Sequence, residues 1–208
     1  PVESDVSPDH WSIVDGYHKL YGTCQYTHAA VECALTLAQS TGPEDLDGLD
    51  EVVVATHPLA LALDDREPRT ILGGKFSVPH AVAAVLVHRR ADPAVFSAES
   101  LHDARIAAVR QRVRLVPYEP LPPAPHDRPA RVTLKRRDGT TSEAECLSAV
   151  GGPDRPLTDD QVLAKAVELT AASAPGFATA APRLLRGNLA GTTPWSEVLA
   201  VLLSQEAA

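Results

Sequence analysis

Apolar residues recur with the spacing of amphipathic helices in two segments that each follow a polar loop. Between Thr27 and Gln39 they recur every three or four positions, which predicts a helix that ends before Gly42. A second helix is predicted from Val78 to Arg89, with Ser77 as its N-cap and Pro79 in its first turn. The sequence therefore predicts two loop-to-helix junctions, and helix N-termini favour anions.

Four other segments have the composition of β-strands. They are Glu51 to Leu63, Arg112 to Tyr118, Ala130 to Arg137 and Thr140 to Val150. Pro58 should bend the first of them or confine its second half to a sheet edge. Asp138 and Gly139 separate the last two, which is a strong signal for a β-hairpin.

The remaining segments predict a loop and further helices. Turn-forming residues between Asp64 and Gly74 predict a surface loop, whereas Ser100 to Val109 predicts a short helix. Thr158 and Gln161 have the spacing of a capping box and open another helix, and Trp195 to Gln205 predicts a final one.

Together these elements predict an α+β fold of the two-layer sandwich type. The sheet is mostly antiparallel, helices cover one of its faces, and a helical C-terminal tail follows. We expect residues 1–157 to form the α+β domain and residues 158–208 to form a helical extension.

Composition narrows the class of protein. The chain has 208 residues, of which 44% are hydrophobic and 22% charged, as in folded globular proteins. The net charge of -8 opposes nonspecific binding to nucleic acid. The three cysteines form no CxxC pair, and neither a membrane helix nor a signal peptide is indicated. We expect a cytoplasmic protein with no membrane association, disulfide framework or metal site.

The first junction, from Lys19 to His28, concentrates reactive side chains. It contains a cation, a thiol, two phenols and an imidazole within ten positions. A lysine beside a helix N-terminus can bind a carboxylate, and His28 or Cys24 can transfer a proton if its pKa lies near neutrality. The alternative is a structural role, in which the aromatic rings pack and Lys19 is solvated.

The second junction, from Gly73 to His80, has a similar make-up. Its glycines precede Lys75, the cap hydroxyl of Ser77 and an imidazole at a helix start. The spacing is not that of a phosphate-binding P-loop. The alternative here is an ordinary capped surface helix.

The order of several motifs resembles the MmgE/PrpD family. The motifs are KLYGTCQYTHAA, HPLAL, GGKFSVPHAVAA, DGT and GGPDRPLT, and the resemblance covers the chain from about His10 onward. It implies the second, α+β domain of a two-domain enzyme of the 2-methylcitrate dehydratase, cis-aconitate decarboxylase or iminodisuccinate epimerase type. Such enzymes act on small polycarboxylates without an obligatory metal. No cofactor is implied, and the helical extension would pack on the absent helical first domain.

The resemblance and the two junctions together define the expected site. Its catalytic residues are Lys19, Cys24, His28 and His80, and its substrate-binding residues are Tyr26, Gly74, Lys75 and Ser77. Lys19 matches the family lysine at the domain junction, whereas Cys24 stands where decarboxylase members have a catalytic histidine. That departure favours dehydration, isomerisation or another proton transfer. Gln25 stands where an arginine is common, which disfavours a highly anionic substrate.

Three functional hypotheses remain open. The leading one is half of a metal-independent lyase or isomerase for a small carboxylic acid, active in a homo- or hetero-oligomer with a helical partner domain or subunit. The second is a noncatalytic partner or ligand-binding subunit with the same fold. The third is a family member recruited into specialised metabolism on another substrate.

Overall fold

The computed structural model describes residues 16–185 and 193–202. The chain divides into two compact units between Pro156 and Leu157. The first unit contains both predicted junctions. The predicted domains, residues 1–157 and 158–208, stay a prediction because compactness alone does not show that either part folds independently.

The first unit is built on a four-stranded sheet with the order β2-β1-β3-β4. The strands are β1 (Leu49–Thr56), β2 (Val113–Pro117), β3 (Ala130–Arg136) and β4 (Thr141–Cys146). The β1/β3 and β3/β4 pairs are antiparallel, whereas β1 and β2 are parallel, with Val52 opposite Val113. A parallel pair needs a crossover connection, and the second junction lies within that crossover.

Helices form the second layer, with one of them at its centre. They are α1 (His28–Ser40), α2 (Pro58–Leu61), α3 (Ile71–Lys75), α4 (Val78–His88), α5 (Ala98–His102) and α6 (Ala104–Gln111). Every residue of α4 from Val78 to Leu86 is buried, and both α1 and α6 pack on this helix. Because α4 is covered on all sides, it occupies the middle of the core.

The two faces of the sheet differ in chemistry. Val54 of β1 and Leu134 of β3 are fully buried in the core. On the opposite face, Glu51 accepts hydrogen bonds from Arg114 at 2.5 Å and from Lys135 at 2.9 Å, which ties three strands together. One face therefore packs on the helices, and the other carries paired charges.

The described part of the second unit is helical. It contains α7 (Asp159–Thr170), α8 (Phe177–Leu185) and α9 (Trp195–Leu202). The Thr158 hydroxyl accepts from the Gln161 N–H at 3.3 Å, and the Gln161 side chain accepts from the Thr158 N–H at 2.9 Å. Among the described helices, none has the length and apolar character to span a bilayer.

The fold class, the hairpin and two helix caps are confirmed. The structure is an α+β sandwich with an open sheet and a short helical C-terminal region. Strands β3 and β4 form the predicted hairpin, Ser77 caps α4 by accepting the His80 N–H at 3.0 Å, and the capping box of α7 is present. The predicted end of the final helix at Gln205 lies outside the described residues.

Three element predictions were wrong in detail. The first strand ends at Thr56 because Pro58 begins α2, where the missing proline N–H leaves no bond unmade. The predicted loop to Gly74 ends in α3 instead, which Thr70 caps by accepting the Gly73 N–H at 3.0 Å. The predicted helix from Ser100 to Val109 is interrupted before α6.

The interruption has a local cause. The Asp103 carboxylate accepts the N–H groups of Arg105 and Ile106, at 2.7 and 3.0 Å, so it ends α5 and caps α6. Helix α8 was not predicted, because it contains Pro182 and lies in a segment rich in Gly and Pro residues.

Replacing Leu134 by Ala tests the core. Leu134 is fully buried, so Leu134→Ala should lower the free energy of unfolding by about 2–5 kcal/mol, measured by urea denaturation. Leu121, which is 51% exposed, is the control, and Leu121→Ala should change it by less than about 0.5 kcal/mol. Equal losses in the two variants would contradict the assigned core.

Candidate functional site

A backbone hydrogen bond joins the two predicted junctions. The Cys24 N–H donates to the Lys75 carbonyl at 2.8 Å. The hydroxyl of Thr27 donates to the Cys24 carbonyl at 2.8 Å and also lies 2.8 Å from the Thr23 hydroxyl. These bonds shape the 3-10 turn Gln25–Thr27 that leads directly into α1. Cys24 is thereby fixed against the end of α3.

The polar groups around this contact differ in exposure. Lys19 is exposed, whereas Lys75 and Tyr26 are half-buried. The Tyr26 ring meets the ring of His57 edge to face, with centroids 5.3 Å apart. Cys24 is 8% exposed. Lys19 is thus the more accessible of the two lysines, and Cys24 lies just beneath the surface.

His28 is fully buried at the start of α1. The rings of Tyr17 and Tyr21 pack edge to face against its imidazole, with centroid distances of 5.9 and 5.2 Å. Burial, followed by the charge of Glu32, raises the pKa of Tyr17 to about 12 and raises the pKa of Tyr21 as well. Both phenols are therefore neutral at physiological pH, and His28 sits against two uncharged rings.

His80 is held inside the core by hydrogen bonds at both ring nitrogens. Its Nδ1 lies 3.0 Å from Arg110 Nη1, and its Nε2 lies 3.2 Å from the Ser100 hydroxyl. Since a guanidinium can only donate, Nδ1 is the acceptor and Nε2 carries the proton. The Ser100 hydroxyl donates onward to the Ser97 carbonyl at 2.8 Å. Burial and then the Arg110 charge lower the pKa of His80 to about 4, so the ring is neutral at pH 7.

Gly74 and Ser77 connect this network to the junction. A Cβ at Gly74 would lie 2.8 Å from Leu101 Cδ2 and 3.0 Å from His80 Cδ2, so only glycine fits there without a shift. The Ser77 hydroxyl donates to the Asp65 carbonyl at 2.5 Å while it caps α4. The backbone that precedes Lys75 therefore rests directly on the His80 ring.

A cavity of about 450 Å³ opens on another part of the first unit. Its wall includes the ion pair between Glu32 and Arg155, whose closest atoms are 3.1 Å apart. None of the described residues that line it is a predicted site residue. Within residues 16–185 and 193–202, no group of three His, Cys, Asp or Glu side chains is placed to hold a metal ion.

The sequence from the first junction to α8 matches a known family. The model of the MmgE/PrpD C-terminal domain matches residues 21–181. The chain belongs to the MmgE/PrpD family. A search of curated proteins finds no match. The family match confirms the resemblance inferred from the sequence motifs.

The MmgE/PrpD match contains most of the predicted site. Cys24, Tyr26, His28 and the whole second junction lie within residues 21–181, and Lys19 lies two positions before them. The matching model is that of a C-terminal domain, which implies an N-terminal partner domain, and the family includes lyases and isomerases. The role of each site residue stays a prediction.

Sequence reasoning missed two residues that support the predicted site of this MmgE/PrpD domain. Arg110 and Ser100 hold the His80 ring, yet neither lies in a recognisable motif. A signal for Arg110 exists, because it shares the buried stripe of α6 with Ile106 and Val109, and a buried arginine needs a partner. For Ser100 the sequence offers no comparable signal, because it meets His80 only after folding.

The lowered pKa of His80 predicts a loss of stability in mild acid. Unfolded chains bind a proton near pH 6.5, whereas folded His80 does so only near pH 4, so acid favours unfolding between these values. The resulting loss in the free energy of unfolding due to His80 approaches roughly 3 kcal/mol near pH 4. Urea denaturation at several pH values measures it.

Two variants isolate this contribution. His80→Asn should be less stable at pH 7 but should lose less further stability between pH 6.5 and 4 than the wild type. Leu121→Ala, at an exposed residue that carries no titratable group, should keep the wild-type slope. Parallel pH profiles for the wild type and His80→Asn would contradict a buried neutral His80.

Proposed function

We propose that this chain is the C-terminal half of a metal-independent MmgE/PrpD lyase or isomerase. Its reaction is a dehydration, epimerisation or related proton transfer on a small carboxylic acid. The hydrogen bond between the Cys24 N–H and the Lys75 carbonyl carries the proposal, because it brings together two junctions about fifty residues apart in sequence. Nothing in the local pattern of either junction requires them to meet.

Lys19 binds the substrate carboxylate in this proposal. Its side chain is exposed, and its Nζ donates to the Thr23 carbonyl at 3.4 Å, so the ammonium lies one residue from Cys24. The carbonyl of half-buried Lys75 lies at the Cys24 contact, and in the proposal its ammonium group supplies a second positive charge to the substrate. Two ammonium groups can neutralise a dicarboxylate even in a chain of net charge -8.

Cys24 is the proton carrier that we propose. It lies at the contact between the junctions, where its thiolate can take a proton from a carbon acid positioned by Lys19 and the resulting thiol can return a proton to the product. His28 and His80 are enclosed by the core, so we assign them to positioning. Half-buried Tyr26 lies beside Cys24 in the wall that we propose, whereas Gly74 and Ser77 are buried and hold the backbone that precedes Lys75.

An apolar surface next to the site supports a partner domain. Leu59 of α2 is 58% exposed, and Ile71, Leu72 and Phe76 at α3 are exposed by 45%, 66% and 47%. Ile71, Leu72 and Phe76 lie within four positions of Lys75 in sequence, and Leu59 lies in the same crossover. Groups of large exposed apolar side chains mark interaction sites. We propose that the helical N-terminal domain, on this chain's own polypeptide or a separate subunit, covers them.

The free cysteines bear on the cellular compartment that we propose. Cys24, Cys33 and Cys146 are free and buried. A reducing environment maintains such thiols, so we propose a cytoplasmic location.

The noncatalytic alternative has one observation in its favour. His80 stands at a predicted catalytic position, but Ser100 and Arg110 occupy both of its ring nitrogens. A domain that only binds carboxylates would need Lys19 and Lys75 but no proton carrier. Substrate turnover by the complex separates the two functions.

Lys19→Ala tests the proposed function. This chain and an MmgE/PrpD N-terminal helical domain are co-expressed, and deuterium exchange or dehydration of small hydroxy and imino acids is followed by NMR. Loss of one carboxylate-ammonium contact should lower kcat/KM by at least about tenfold. Lys135→Ala, on the charged outer face of the sheet, is the control and should retain activity.

Each outcome of this experiment is decisive. Wild-type activity in Lys19→Ala would contradict the assigned role of Lys19. Tight binding of an acid without turnover by the wild-type complex would establish the noncatalytic function instead.

Leu72→Ser tests the proposed docking surface. Since Leu72 is 66% exposed, the substitution should leave the fold intact but weaken the complex with the N-terminal domain by about tenfold, measured by calorimetry. Leu121→Ser, at a leucine that is 51% exposed in another loop, is the control and should bind like the wild type. Equal affinities for all three proteins would place the interface elsewhere.

A further inference from the structure

The motif GGPDRP, residues 151–156, has no part in the proposed chemistry, yet it supports the segment that carries Lys19. The His18 N–H donates to the Gly151 carbonyl at 2.9 Å, and the Tyr17 hydroxyl donates to the Ala149 carbonyl at 3.4 Å. Gly151 has a φ of +107°, and a Cβ there would lie 2.0 Å from the His18 carbonyl oxygen. Glycine is therefore required where the segment crosses this loop.

The loop is tied to α1 by a carboxylate with partners at both oxygens. Glu32 Oε2 lies 3.1 Å from Arg155 Nη1, and Glu32 Oε1 accepts the Val150 N–H at 2.6 Å. The same Arg155 nitrogen donates to the Ser148 carbonyl. Only 15% of the Glu32 side chain is exposed, so the carboxylate is largely shielded from water, whereas 46% of the Arg155 side chain is exposed.

The loop also closes on itself through its backbone. The Gly151 N–H donates to the Arg155 carbonyl at 2.7 Å, and the Arg155 N–H donates to the Gly152 carbonyl at 3.1 Å. A Cβ at Gly152 would lie 3.1 Å from the Tyr17 ring. Moving Arg155 would therefore move the surface on which residues 17 and 18 lie.

We propose that Glu32 and Arg155 are positioning residues of this MmgE/PrpD site: their ion pair fixes the loop 148–155, and the loop sets where Lys19 presents its ammonium group. Neither side chain touches the substrate in this inference. Loss of Arg155 would leave the mostly buried Glu32 carboxylate without its charged partner, and loss of the Glu32 carboxylate would remove the charged acceptor of Arg155 and Val150. Either change should therefore release the loop from α1. The role of Lys19 rests on the proposed function, whereas the fixing of the segment does not.

The chain offers a matched control pair on the outer face of the sheet. Glu51 and Arg114 are also an ion pair, with side chains 25% and 49% exposed, against 15% and 46% for Glu32 and Arg155. The control pair links β1 to β2 on the face of the sheet that carries the paired charges. General effects of losing an ion pair should appear in variants of both pairs. Effects on the position of Lys19 should appear only in variants of Glu32 and Arg155.

Hydrogen exchange with mass spectrometry tests the fixing of the segment on the full chain. In Glu32→Gln and Arg155→Met, amides of residues 16–21 should exchange about tenfold faster, the effect of losing one charged hydrogen bond. Residues 130–136 of β3 should exchange as in the wild type. Glu51→Gln and Arg114→Met should leave residues 16–21 unchanged. We call Glu32→Gln and Arg155→Met the clamp variants. Unaltered exchange of residues 16–21 in both clamp variants, or equal acceleration across the whole chain, would overturn the inference.

Kinetics of the complex with the N-terminal domain test the consequence for Lys19. With the acid that the wild type turns over, both clamp variants should raise KM more than they lower kcat, and Arg155→Lys should recover part of the loss. Wild-type KM in the clamp variants, when Lys19→Ala loses activity, would overturn the positioning role. If Lys19→Ala is unimpaired or no acid is turned over, the proposed function fails and the exchange data alone decide whether Glu32 and Arg155 fix the segment.

Discussion

The structure depends on one constraint, the burial of α4 from Val78 to Leu86. In this stretch the helix presents small or medium side chains in every direction, so it can exist only with the sheet and neighbouring helices around it. Its first turn is therefore held in place by the surrounding core. Ser77 and His80 belong to that turn, and their hydrogen bonds anchor the glycines before Lys75.

The site is assembled from segments that are distant in the chain. The segment that leads into the first junction rests on the loop after β4, through the hydrogen bond from His18 to Gly151. Cys24 of that junction is hydrogen-bonded to Lys75 at the end of α3, before α4 begins. The core thus holds the backbone of the site, while the charges at its surface remain accessible. This division agrees with a half-site whose other wall comes from an N-terminal domain of the family.

The sequence predicted the elements better than their contacts. Periodicity located α1 and α4, and the Asp138-Gly139 pair located the hairpin, because these signals are local. Gly73 and Gly74 were wrongly predicted as a turn, since the cap at Thr70 and the packing on His80 outweigh their weak helix propensity.

The contacts within the site were less accessible to sequence analysis. The motifs identified Lys19 and Cys24, but the burial of His28 and His80 and the partners of His80 depend on how α5 and α6 fold back. The same holds for the Glu32 and Arg155 pair, whose members are 123 positions apart. Such pairings arise from tertiary structure and leave no pattern in a single sequence.

The parallel pairing of β1 with β2 also has a consequence for folding. Val52 and Val113 become neighbours only after the whole crossover between them is in place. Closing so long a loop costs conformational entropy, and packing of the core compensates for this only once the contacts have formed. The junction at Lys75 lies inside that loop. A chain whose crossover is incomplete therefore cannot hold the Lys75 carbonyl against the Cys24 N–H, so the contact between the two junctions forms late in folding and reports that the domain is whole.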